Sequence, residues 1–208
     1  MTVEIVVENV ATGWPQIVAA CRGERAIRVS TRHGISFDLP GLSIVVLDPH
    51  DRRPPSGFAF PELITDYASR LFGEARTGSL VDRRLRHRST AGGTVRDQLD
   101  EIRSLLRAEE STRGAVFDLW DVGEDLGAEF PVSPVGGCFR IVEDVLWLFL
   151  TVRSVDVMLG LVPELLAFAR VATDMALDLG LTDARLQLHC WSAHLYEIDF
   201  LTPVRGLR

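Results

Sequence analysis

The stretch PELLAFARVATDMALDL, residues 163–179, constrains the fold more than any other part of the chain. Its apolar residues fall on most faces of a helix, so the helix it predicts must be buried on nearly all sides. Gly180 follows and supplies a C-terminal stop. Such a helix needs a sheet beneath it and other helices beside it. Residues 138–142 and 146–152 flank Glu143-Asp144, the pattern of a β-hairpin. Residues 27–29, 36–38, 43–47, 115–119 and 185–189 also read as strands, as does the opening MTVEIVVENV. A short helix is expected at 14–21, with Pro15 in its first turn. A second, at 61–72, places Leu63, Ile64, Tyr67, Ala68 and Leu71 on one stripe and has Gly73 to end it. A third, at 94–109, takes Thr94 as N-cap and buries Val95, Leu99, Ile102 and Leu106. DPHDRRPPSG, from Asp48, is loop chemistry. Strands before, between and after helices, with a hairpin, predict an α+β fold built on a mixed β-sheet. A length of 208 residues and no internal repeat fit a single domain over 1–208.

Charge and cysteine usage exclude several functions. The net charge of −7 argues against a broad nucleic-acid surface. The run Arg83-Arg84-Leu85-Arg86-His87-Arg88 is a local exception, either a solvated face or a phosphate-binding loop, since guanidinium forks match phosphate oxygens. Cys21, Cys138 and Cys190 are widely spaced, with no CxxC pair, so neither a metal site nor a disulfide framework is expected. The N-terminal segment lacks the basic and apolar regions of a signal peptide. The longest apolar run, 145–152, is too short to span a bilayer. A reducing, cytoplasmic location is the expectation, with no membrane partner.

The polar residues near the C-terminus raise the functional question. Arg113 precedes the strand at 115–119, and Arg153-Ser154-Val155-Asp156 follows the hairpin. Glu164 opens the buried helix, and His194 and Tyr196 alternate along WSAHLYEIDF, so in a strand they share a face. Arg and Ser can hold a phosphate, a carboxylate at a helix start can accept from a base amine, and His and Tyr can bind sugar hydroxyls. Each also has a plain structural reading: Arg153 and Asp156 as an ion pair, His194 as a satisfied core residue.

With LSIVVLDPHDRR, STRGAVFDLWDVGEDL, FRIVEDVLWLFLTVRSVDVMLG and SAHLYEIDF, these residues resemble the thymidylate synthase superfamily, especially its short archaeal-type and pyrimidine nucleotide hydroxymethylase-like branches. From Arg113 to Tyr196 the spacing fits without a gap, and the N-terminal third matches more weakly. The resemblance implies an enzyme acting on a pyrimidine nucleoside monophosphate within a homodimer formed across the sheet. Arg153 and Ser154 would hold the 5′-phosphate, joined by Arg113 from the neighbouring subunit. His194 and Tyr196 would bind the sugar, Asp156 would order the pyrimidine ring, and Arg84 or Arg86 would match a mobile phosphate-loop arginine.

Three departures shape what the resemblance implies. The family's nucleophilic cysteine falls at Ser133, inside FPVSPVGGCF. A hydroxyl is far less acidic than a thiol and needs an adjacent base, for which His194 is the candidate. Using Cys138 instead would require a five-residue deletion and would turn the side chain to the opposite face of a regular strand. Glu164 stands where the family carries a uracil-reading Asn. An ionised carboxylate only accepts hydrogen bonds, which favours a cytosine amine, while a protonated one still reads uracil. The sequence stops soon after Tyr196, without the family's folate-closing tail, so a methylenetetrahydrofolate-type one-carbon donor is in question. The expectation is modification of CMP or dCMP at C5, by methyl or hydroxymethyl transfer, with Ser133, Glu164 and His194 at the reacting edge. The alternatives are N-glycosidic hydrolysis, with Glu164 as base for an attacking water, and a non-catalytic nucleotide-binding homologue.

Overall fold

The computed structural model describes residues 3–72, 80–89 and 93–206, with only the backbone of 88–89. In chain order its elements are β1 (Val3–Val7), α1 (Val10–Cys21), β2 (Ile27–Thr31), β3 (Gly34–Val46), α2 (Pro61–Leu71), α3 (Leu80–Arg86), β4 (Arg88–Ser89), β5 (Val95–Arg96), α4 (Gln98–Ala108), β6 (Val116–Asp118), α5 (Val122–Asp125), β7 (Pro134–Val142), β8 (Val145–Asp156), α6 (Leu161–Asp178) and β9 (Asp183–Tyr196). The main sheet runs β1-β3-β9-β8-β7-β6, with β2 also on β3. β1 pairs parallel with β3 and β8 parallel with β9, and the other pairings are antiparallel. This is the mixed α+β architecture that the patterning predicts.

The helix at the centre is α6. Its buried residues cover most of its circumference, from Leu161 and Leu165 to Val171 and Met175. It packs on β8 and β9 below and α2 beside. In β8, Leu146, Leu148, Leu150 and Val152 are buried, while Val145, Trp147, Phe149 and Thr151 are only partly covered. One sheet face therefore meets the helices and the other does not. On that second face Trp147 and Phe149 stack, their ring centroids 5.6 Å apart; exposed Val116 is level with Phe149, and exposed Trp191 lies further along β9.

Several boundaries differ from the sequence reading, each for a local reason. α1 starts at Val10 because Asn9 caps it, its side chain accepting from the Thr12 amide at 2.9 Å, and Pro15 consequently lies inside the helix. α4 starts at Gln98 because Asp97 accepts from the Leu99 and Asp100 amides; Thr94 precedes it, and Val95 belongs to a short strand. Leu99, Ile102 and Leu106 are buried as the stripe requires. The two strands expected at 36–38 and 43–47 are one continuous β3, which passes through Pro40 because β9 pairs along its length. β9 likewise continues to Tyr196, well past the expected end. Glu143 and Asp144 both have positive φ, 52° and 61°, and form the tight turn that the hairpin pattern called for. Gly73 and the side chain of Arg88 lie outside the described residues.

Candidate active site

Register brings the polar residues together at one end of the sheet. Ser154 of β8 lies beside Ser192 of β9, and Asp156 beside His194. Across the other edge of β9, Asp38 of β3 is level with His194, and Ser36 with Tyr196. The Ser154 hydroxyl is 3.2 Å from Nδ1 of His194, and the Tyr196 ring stands edge-on to the imidazole at 5.3 Å. Asp156 Oδ1 accepts from the Met158 and Leu159 amides, fixing the turn that leads into α6. Burial raises the Asp156 carboxyl, and His194 and those amides oppose the rise. Asp38 accepts from the hydroxyls of Ser36 and Ser192, at 2.5 and 2.8 Å. The sequence reading missed Asp38 and Ser192, because the pairing of β3 with β9 has no local signature.

A second group surrounds the start of α6. Glu164 lies in the first turn, 3% exposed, and Oε1 has no hydrogen-bond partner. Burial pushes its carboxyl up to about 8, and the Arg153 charge offsets only part of the rise. With Ser133, Glu164 lines a cavity of about 280 Å³, whose wall also includes Tyr67, Leu80, Phe130 and Val132. The Tyr67 hydroxyl is also buried without a partner. In the sequence Tyr67 looked like one more residue of an apolar stripe.

Arg153 links the two groups. Nε donates to the Val132 carbonyl at 2.9 Å and Nη2 to that of Pro131 at 2.8 Å. Its backbone amide donates to the Ser133 carbonyl, and the Ser133 hydroxyl donates to the Ser154 carbonyl. The loop carrying Ser133 is thereby tied to the end of β8. Asp125 accepts from the Val132 amide and from buried Arg84, which also donates to the Leu119 carbonyl. Arg84 is thus held within the protein rather than free to meet a phosphate, and Arg86 lies 3.5 Å from Asp82. Arg113 stands exposed before β6, the outer strand of the sheet, and is not among the residues that line the cavity.

Among the described residues, no thiol replaces the missing nucleophile. Burial pushes Cys21 and Cys190 up to about 12. Cys138 is level with Val116 and Phe149, on the sheet face away from the helices, and burial raises it too. Burial therefore works against the thiolate form in all three.

The family model described as thymidylate synthase matches residues 67–202. The chain belongs to the thymidylate synthase family. Among curated relatives, a protein named "Putative thymidylate synthase" from Methanothermobacter thermautotrophicus is 27% identical over 218 residues, covering 96% of each chain. One of the same name from Methanothermobacter marburgensis is 25% identical over 221 residues, again covering 96% of each. A thymidylate synthase-like chain is expected to bind a pyrimidine nucleotide and belongs to a family of transferases. Its one-carbon donor is commonly a folate. The cavity beside Glu164, about 280 Å³, is slightly below the roughly 300–1,000 Å³ taken by drug-sized ligands. No described helix is long and apolar enough to cross a membrane.

Proposed function

We propose that the chain binds a pyrimidine nucleoside monophosphate, preferring CMP or dCMP, and modifies the base at C5 by methyl or hydroxymethyl transfer. The observation that carries this reading is Glu164, buried on the wall of a cavity with one carboxyl oxygen unpartnered. Native proteins rarely leave such atoms unsatisfied, and a water, an ion or a bound ligand completes them.

At neutral pH the Glu164 carboxyl carries its proton, which revises the argument from an ionised group. A neutral acid offers one donor and one acceptor. Its carbonyl oxygen can accept from the cytosine amine while its hydroxyl donates to N3. Uracil can also be read by the neutral acid, in the opposite sense. Cytosine N3 is basic, however, and N3 of uracil is not. Only cytosine lets the proton move along the O–H···N line, so binding survives in either position of the proton.

In this reading His194 and Tyr196 bind the sugar. Ser154 and Arg153 face the phosphate, and Asp156 holds the turn that delivers Glu164. The chain acts as a homodimer packed through the helix-free sheet face, with Arg113 of one copy completing the phosphate site of the other. The partly covered Trp147 and Phe149 and the exposed Trp191 on that face support this arrangement.

A second reading, nucleotide binding without the family's covalent step, is favoured by one contact. The Ser133 hydroxyl donates to the Ser154 carbonyl, which leaves it no base to activate it. Proton NMR of CMP, dCMP, UMP and dUMP with the protein in heavy water tests both. Broadening strongest for the cytosine nucleotides, with loss of the C5 proton signal, supports action at C5. Broadening without exchange supports the second reading. Free-base signals would instead make the chain a glycosidic hydrolase. Sharp, unchanged lines for all four nucleotides would overturn the nucleotide site itself.

A further inference from the structure

Two residues that line one cavity from different helices each carry a buried polar atom without a partner. Oε1 of Glu164 belongs to α6 and the hydroxyl of Tyr67 to α2, which packs directly on α6. Native structures satisfy nearly all such groups, so two orphans on residues of one cavity wall point to a bound group that would complete both. We propose that Tyr67 is the second base-reading residue of the site: its hydroxyl and the Glu164 carboxyl together hold the exocyclic substituent at position 4 of the pyrimidine.

The inference rests on the nucleotide reading above and adds a residue and a contact to it. Burial raises the phenol well above its ordinary value, and Glu164 adds to the rise, so Tyr67 remains a neutral donor and acceptor. An exocyclic amine has two N–H groups, one for the Glu164 carbonyl oxygen and one for the Tyr67 oxygen. An exocyclic carbonyl has two lone pairs, which accept from the two hydroxyls. A hydrogen at position 4 offers neither. The pair thus reads the presence of a polar 4-substituent, and Glu164, through its contact with N3, discriminates which one. Tyr67 can do this because its helix places it at the seam with α6, at i+3 from Ile64 and i+4 from Leu63.

The test pairs one variant with one ligand analogue. The affinities of CMP, UMP and pyrimidin-2-one ribonucleoside 5′-monophosphate, which has hydrogen at position 4, are measured by calorimetry for the natural protein and for Tyr67→Phe. The natural protein is expected to bind the analogue about tenfold more weakly than the better of the other two. In Tyr67→Phe that preference shrinks to about threefold or less, through weaker binding of the 4-substituted nucleotide while the analogue keeps its affinity. Thermal stability should not fall, because Phe fills the same space and removes an unpaired hydroxyl. Unchanged preference in the variant overturns the proposal. So does an equal loss for all three ligands, which would give Tyr67 a general packing role. If the natural protein binds none of them, the nucleotide reading falls first and this contact with it.

Discussion

A carboxyl group buried without a hydrogen-bond partner changes how stability follows pH. Glu164 has an ordinary value of 4.5 and is pushed up to about 8 in the folded protein. Between those values the unfolded chain has released the proton and the folded protein still holds it. The native state then binds more protons, so stability falls as pH rises through that window and levels off above it. The span corresponds to a penalty on the order of 5 kcal/mol. Glu164→Gln removes the titration. Urea unfolding at a series of pH values should therefore show the variant gaining on the natural protein from about pH 4.5 to about 8. A difference that stays flat with pH would mean the acid is not held protonated. Ser133 makes a different residue-scale prediction. Ser133→Ala loses one hydrogen bond to the Ser154 carbonyl and should cost about 1 kcal/mol of stability. Nucleotide affinity, read by NMR titration, should change less than twofold, because the hydroxyl is already committed to the protein. That His194 and Tyr196 share a strand was legible in the sequence because their spacing is local, whereas the nearness of Ser154 to His194 comes only from the pairing of β8 with β9. Tyr67 and Asp38 were not legible, because only the packing of α2 on α6 and of β3 on β9 gives them polar neighbours.

Between residue and molecule, the elements decide how closely the strands approach. A Cβ on Gly137 would stand 2.4 Å from the Phe149 carbonyl oxygen and 2.8 Å from the Phe117 ring. Both obstacles belong to neighbouring strands and neither can swing aside. Gly137→Ala should therefore destabilise the protein by about 2 kcal/mol or more, or prevent folding, as read by thermal denaturation. The β7–β8 turn offers the opposite case. Glu143 and Asp144 hold φ values that favour glycine and asparagine. Replacing the pair by Asn-Gly should raise stability by about 1 kcal/mol, with the same assay as the check. The hairpin was readable from its apolar flanks and polar pair. The starts of α1 and α4 were not, since Asn9 and Asp97 outcompete the more obvious signals at Pro15 and Thr94 by capping free amides. The arginine run misled for a similar reason: Arg84 pairs with Asp125, far along the chain, and no periodicity announces that partner.

At the scale of the whole molecule, the sheet has one face covered by helices and one left open. The buried α6 made the first legible, while the second appears only when β6, β7, β8 and β9 are laid side by side. Stacked Trp147 and Phe149, with exposed Trp191 further along the same face, then present apolar side chains that a second copy can cover. Arg113 stands by the strand at the outer edge and is not among the residues that line the cavity, and this makes the proposed dimer testable through function. Arg113→Ala and Glu164→Leu should each bind CMP poorly, one lacking the phosphate contact in trans and the other the base contact in cis. Mixed and allowed to exchange subunits, they form heterodimers in which one site draws Glu164 from the first variant and Arg113 from the second. Random exchange restores about a quarter of the sites. Titration with CMP should recover a high-affinity fraction of that size, absent from either variant alone. Adding Trp147→Asp to both variants should abolish the recovery, because a buried charge on the shared face prevents pairing. Full CMP affinity in Arg113→Ala alone would place Arg113 outside the site. Poor binding by both variants with no recovery on mixing would mean that the two residues do not meet across an interface.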